Sequence, residues 1–229
     1  MLRIQLKLNP NFYLRDPQET KLGKNIVTQS IQLIDELGLE QFTFKKLAHA
    51  INSTEASIYR YFDNKHRLLT YLVAWYWNWL EYQIDYQTHF LENPEQKLKK
   101  AIGLITHQIP HERHVEDVDE KTLYRLVINE SDKTYRTKQV DADNKEGLFR
   151  GYKSLCTTIA SILLEINPDF PYAHSLTSTV LETAHQQVFF AEHLPTLSSF
   201  KKEDTLQTQK LTDFLELLVF CSIQNKTSL

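Results

Sequence analysis

Leu22, Ile26, Ser30, Leu33 and Leu37 follow one another at steps of three and four, and the same spacing recurs along most of the chain. That period stacks side chains on one face of an α-helix, whereas a strand alternates its faces at every residue. Only five glycines and seven prolines interrupt the 229 residues. Leu, Gln, Lys, Glu and Ala, all good helix formers, fill the intervals. The fold class that follows is all-α. The length supports a sizeable core and one or two domains.

The opening MLRIQLKLNP alternates apolar and polar residues and lacks the apolar run of a signal peptide. No uninterrupted apolar segment reaches the roughly 18 residues of a transmembrane helix, so a cytoplasmic location is expected. Cys156 and Cys221 have no paired spacing. They are expected to be buried structural thiols of a protein from a reducing compartment. There is no Gly-rich phosphate loop, no Gly-x-Ser-x-Gly elbow and no His-Glu-x-x-His, so neither an enzyme nor a cofactor is expected.

One pattern points the other way. Glu182 and His185 have the Glu-x-x-His spacing of di-iron bundles, and His107, His111 and His114 form a loose series. A di-iron site needs two such motifs and two further glutamates, the chain has one motif, and Pro110 interrupts the histidines. A metal-binding helical-bundle enzyme therefore stands only as an alternative.

Element by element, a first helix is expected over 18 to 37, with Gly38 at its C-terminal cap. Thr43 caps a second helix carrying Phe44, Leu47, Ala48 and Ile51, and Asn52-Ser53 makes a turn. Thr54 then caps a third helix with Glu55 in its first turn and Ile58 and Phe62 facing inward. Asn64 caps a long fourth helix through Leu68, Leu69, Leu72, Trp75, Trp79, Tyr82 and Tyr86. Later helices are expected over 95 to 109, 118 to 131, 144 to 166, 172 to 194 and 203 to 224, divided by prolines. The polar stretch from Ser131 to Lys145 reads as a mobile loop. Residues 1 to 70 hold ten basic and seven acidic side chains, while the remainder is acidic. A basic module suited to phosphate thus precedes one with other partners.

Two short helices joined by a tight turn, the second bearing polar and aromatic side chains, form the arrangement that places a recognition helix in a DNA major groove. With Ile58 and Phe62 inward, Glu55, Ala56, Ser57, Arg60 and Tyr61 are left to face outward. Arginine, serine and alanine suit base edges, and tyrosine hydroxyls suit phosphate. Lys65 stands in the first turn of the fourth helix, where free N–H groups also favour an anion.

The run FTFKKLAHAINSTEASIYRYFDNKHRLL, residues 42 to 69, resembles the DNA-binding region of the tetracycline-repressor (TetR) family of bacterial regulators. Leu47-Ala48, Ser57-Ile58-Tyr59, Phe62, Lys65 and Leu68 carry the likeness. It implies that Thr43, Lys45 and Lys46 meet DNA from the start of the second helix. It implies further that residues 54 to 61 (Thr54, Glu55, Ala56, Ser57, Tyr59, Arg60 and Tyr61 among them) line the groove, and that Tyr59 and Lys65 hold phosphates. Where the family often has Gly, Val and Gly, this chain has Asn52, Ser53 and Ala56, which bears on the operator sequence and not on the binding mode.

The implied organisation is an N-terminal extension over 1 to 17 and a helix-turn-helix DNA-binding domain over 18 to 66, with its motif at 43 to 62. A helical effector-binding and dimerisation domain would follow over 67 to 229. The implied activity is that of a ligand-responsive repressor, its partners a double-stranded DNA operator, a second copy of itself and a small-molecule effector. Segments 172 to 194 and 203 to 224 are expected to form the homodimer. Ala173, Leu176, Val180, Ala184, Val188 and Ala191 run along one side of the former, and the latter is apolar nearly all round from Phe214 to Phe220. An apolar effector pocket is expected with Tyr82, Tyr86, Tyr124, Tyr152, His185 and Phe189 among its walls. A helical interaction protein that binds no DNA, its three small helices forming a core, is the other alternative.

Overall fold

A computed structural model describes residues 8–107, 118–200 and 207–224. Among them are eleven α-helices and no strand. In chain order these are α1 (Lys21–Gln41), α2 (Phe44–Ala50), α3 (Glu55–Tyr59), α4 (Lys65–Thr88), α5 (Pro94–Ile105) and α6 (Glu120–Glu130). The rest are α7 (Asp132–Tyr135), α8 (Val140–Lys145), α9 (Arg150–Ile166), α10 (Ala173–His193) and α11 (Gln207–Gln224). The chain divides into two compact units.

The first unit takes in the residues up to Asn78 together with the segment that ends at Gly151. Its core is laid by Ile26, Ile31 and Ile34 of α1, Leu47 of α2, Ile58 of α3, and Phe62, Leu68 and Leu72. α6 lies along α1. Arg125 of α6 grips Asp35 of α1 with a nearest distance of 2.7 Å. α1 passes its expected stop because the chain resumes a helical turn after Gly38, whose backbone (φ 72°, ψ 158°) interrupts the regular path. α9 starts at Arg150 and not at 144, since Gly147 turns the chain at φ 79°.

The stretch from Ser131 to Lys145, expected to be a mobile loop, instead contains α7 and α8. Thr134 and Asp143 are buried there. The Asp143 carboxylate lies 3.5 Å from His66 Nε2 and 3.8 Å from the Arg67 guanidinium, and Arg67 also meets Glu146 at 2.9 Å. A polar segment can stay in place when its charges are paired, and composition alone does not reveal the pairing.

Residues 8 to 20, within and just past the expected extension, form two 3₁₀ turns, Pro10–Phe12 and Pro17–Glu19. Phe12 is buried edge-on against Tyr71. The side-chain amides of Asn9 and Asn11 donate to the Glu146 carbonyl at 2.8 and 2.9 Å, and the Leu14 N–H donates to the Tyr61 carbonyl at 2.8 Å.

The second unit begins at Trp79 and resumes at Tyr152. α11 packs against α5 and α10. Thr106 and Thr212 share a hydrogen bond of 2.6 Å between α5 and α11, and the Asn167 amide donates to the Ile223 carbonyl. Ala173, Val180, Ala184 and Ala191 of α10 are buried within the unit, so most of the small-residue side expected to meet a partner serves the chain's own core. α11 sinks Leu211, Leu215, Val219 and Ile223 but leaves Phe214 38% and Leu217 63% exposed. Cys156 is half-buried and Cys221 exposed, which corrects the expectation of two buried thiols. Burial, with the Glu182 charge adding to it, pushes the Cys156 thiol up to about 11. Among the described residues no helix is long and apolar enough to cross a membrane.

Candidate nucleic-acid interface

The helix pair begins at Thr43, extended in backbone, whose hydroxyl accepts from the Lys46 N–H and so satisfies an orphan donor of α2. Phe44, Leu47 and Ala48 are buried, which leaves Thr43, Lys45 and Lys46 exposed. Asn52 turns the chain in the left-handed region at φ 51°, and the Ser53 N–H closes the turn on the Ala48 carbonyl at 2.8 Å. Asparagine tolerates that conformation better than other side-chain-bearing residues. Thr54 then caps α3, accepting from the Ser57 N–H, and the Thr54 and Ser57 hydroxyls share a hydrogen bond of 2.9 Å.

α3 buries Ile58 completely and leaves Thr54, Glu55, Ala56, Tyr59 and Arg60 exposed, with Ser57 half-buried. Tyr59 is 49% exposed, and its ring packs edge-on to Phe44 at 5.0 Å. That contact fixes the side chain while half of it remains in water. Lys46 spends one donor on the Gln41 carbonyl at 2.8 Å, which leaves its ammonium two more.

Two expected site residues are placed differently. Tyr61 is only 2% exposed, because it lies three residues after Ile58 and one before Phe62, inside the helix arc that faces the core. Its hydroxyl and that of Thr20 share a hydrogen bond of 2.7 Å, and the Arg15 guanidinium lies over its ring. Tyr61 therefore anchors the end of α3 and does not face a groove. Lys65 directs its ammonium to three backbone carbonyls, of Leu39 (2.8 Å), Glu40 (3.2 Å) and Phe42 (3.3 Å). In this arrangement the side chain clamps the last turn of α1, where a phosphate grip was expected. Neither partner set is visible in local spacing, since Thr20 and the three carbonyls lie more than twenty residues upstream.

The residues expected to wall an effector pocket are distributed over both units. Tyr124 belongs to the first, where its ring stacks on Tyr76 at 6.1 Å. In the second, Trp79, Tyr82 and Tyr86 form a ladder of stacked rings at 5.7 and 6.1 Å. There the Tyr152 hydroxyl donates to Glu182 at 2.7 Å, His185 is buried, and Phe189 meets the His193 ring at 4.7 Å. Glu182, half of the Glu-x-x-His pair, thus already holds a tyrosine. His111 and His114 lie outside the described residues, and no group of three or more potential metal ligands occurs within them.

Residues 26–72 match the family model described as "Bacterial regulatory proteins, tetR family". No curated protein matches the sequence. Among solved structures, the chain is similar to AibR in complex with isovaleryl coenzyme A and operator DNA, with a TM-score of 0.60 and 14% identity over 86% of this chain and 98% of that one. It is also similar to the fatty acid degradation regulator FadR from Bacillus halodurans, with a TM-score of 0.61 and 18% identity over 93% and 96%. A third is the ketosteroid transcriptional regulator KstR2 of Mycobacterium tuberculosis, with a TM-score of 0.57 and 14% identity over 90% and 97%.

Proposed function

We propose, from an N-terminal domain that belongs to the tetR family of bacterial regulatory proteins, that the chain is a sequence-specific DNA-binding regulator, a ligand-responsive repressor acting as a homodimer. The observation that carries this reading is the division of labour on α3. Its apolar side holds the domain together, while Thr54, Glu55, Ala56, Tyr59 and Arg60 stay exposed beside Thr43, Lys45 and Lys46 of α2. Arg60 is the strongest candidate for a guanine contact, and Tyr59 with the two lysines suits phosphate. Two copies related by a two-fold axis would present two such helices to adjacent groove turns.

The effector proposal rests on Tyr82, Tyr86, Tyr152, His185 and Phe189 of the second unit. Its ring ladder favours a ligand with an apolar body. Isovaleryl coenzyme A, bound in the AibR complex, is a reasonable first probe. Such a protein needs no catalysis, and its working location would be the cytoplasm.

Selection of genomic fragments by the purified full chain tests the reading. Enrichment of a near-palindromic sequence, bound with steep salt dependence, is expected. Arg60→Ala should cost roughly 1–3 kcal/mol of operator binding and relax the preference at one base pair per half-site. Binding with neither sequence preference nor salt sensitivity would favour the interaction-protein alternative.

A further inference from the structure

α1 leads into the reading helices through a joint at Gly38. At φ 72° and ψ 158° this residue occupies a region open almost only to glycine, and the break removes the following N–H from the regular helical ladder. That N–H, on Leu39, donates instead to Glu130 Oε1 at 3.1 Å, from the last residue of α6 and 91 positions along the chain. Glu130 is 6% exposed, and its other oxygen lies 2.7 Å from Lys133 Nζ, which also reaches Glu40 at 3.6 Å. Burial lowers the Lys133 affinity for its proton, but the bonds and charges of Glu130 and Glu40 outweigh that and leave it raised. From the other side the Lys65 ammonium holds the carbonyls of Leu39, Glu40 and Phe42. The last turn of α1, between Gly38 and the Thr43 cap of α2, is therefore held by an anion at its N–H and a cation at its carbonyls.

We infer that Glu130 is a positioning residue for DNA reading, a buried carboxylate on α6 that sets the exit of α1, and with it α2 and α3, by accepting the Leu39 N–H. The inference rests on the DNA-binding reading above. A charge-assisted bond to a buried N–H outside the regular helical ladder is strong and directional. An apolar contact of equal area would hold the two helices together without fixing the angle at Gly38. The Asp35–Arg125 ion pair serves as the comparison, since it also ties α1 to α6 but does so between side chains.

The test uses the full chain and operator fragments selected with the wild type. Glu130→Leu removes the acceptor, and Glu130→Asp keeps the charge but is one methylene too short. Each should lower the ratio of operator to random-DNA affinity by about tenfold or more. Both should speed hydrogen exchange at the Leu39 amide. Glu130→Gln keeps an acceptor oxygen and should stay within about threefold of the wild type. Asp35→Asn should lower the Tm and leave the ratio unchanged. An unaltered ratio in Glu130→Asp, an unaltered Leu39 exchange rate, or an equal loss in Asp35→Asn overturns the inference while operator binding by the wild type stands. A wild type that binds no operator overturns the DNA reading itself, and this inference with it.

Discussion

Tyr59 and Tyr61 stand two positions apart, and a helical turn of 100° per residue sends such neighbours to nearly opposite sides. Tyr59 is half exposed on Phe44, and Tyr61 is buried with its hydroxyl on Thr20. Tyr61→Phe should therefore cost about 1 kcal/mol in a urea melt and leave the bases read unchanged, because it removes an internal hydrogen bond. Tyr59→Phe should leave the melt in place and weaken DNA binding several-fold. Tyr61 was expected to face outward, although from its step of three after Ile58 the inner side was legible in the sequence. The Lys65 clamp was not, because its partners are carbonyls brought close only by folding. Cys156 differs from Cys221 in the same tertiary way. With its thiol pushed up to about 11, Cys156 should react with a disulfide reagent at pH 8 far more slowly than exposed Cys221, since only about one molecule in a thousand is then the thiolate. Two well-separated phases in a stopped-flow thiol titration are expected, and the slow one should accelerate as the pH rises toward 11.

At the scale of elements, helix existence was readable and helix junctions were only partly so. The steps of three and four located α1, α2 and α4, and the caps at Thr43 and Thr54 are formed as the residue types require. Gly38 was expected to end α1, yet the helical turn resumes beyond it, because Glu130 and Lys65 satisfy the groups that the break exposes. The 131 to 145 stretch was illegible for a related reason, its order depending on the pairing of Asp143 with His66 and Arg67 from α4. Two substitutions separate backbone strain from packing at these junctions. Gly38→Ala puts a Cβ into a conformation open almost only to glycine and should cost roughly 1–3 kcal/mol by denaturant unfolding. Asn52→Gly relieves a left-handed asparagine at φ 51° and should be neutral or stabilising by up to about 1 kcal/mol. If Asn52 instead contributes through its side chain, the same melt will move the other way.

The whole molecule raises the question of what covers α11. Its inner side, Leu211, Leu215, Val219 and Ile223, belongs to the chain's own core, yet Phe214 and Leu217 remain in water three residues apart on the opposite side. Burying a large apolar side chain is worth about 1.5–3 kcal/mol, so leaving two neighbours exposed favours a partner surface. In a two-fold dimer each residue acts twice, which doubles the effect of a change. In the proposed homodimer, Leu217→Glu should therefore raise the dissociation constant by about a hundredfold or more, the equivalent of roughly 3 kcal/mol. Sedimentation velocity across a dilution series would show it as a shift toward monomer relative to the wild type. Because a single reading helix pair binds DNA weakly, operator affinity should fall with it, and raising the protein concentration should restore both together. A Leu217→Glu chain that sediments as the wild type does would place the interface elsewhere, with the polar side of α10 at Ser175, Thr179 and Gln186 the next face to substitute.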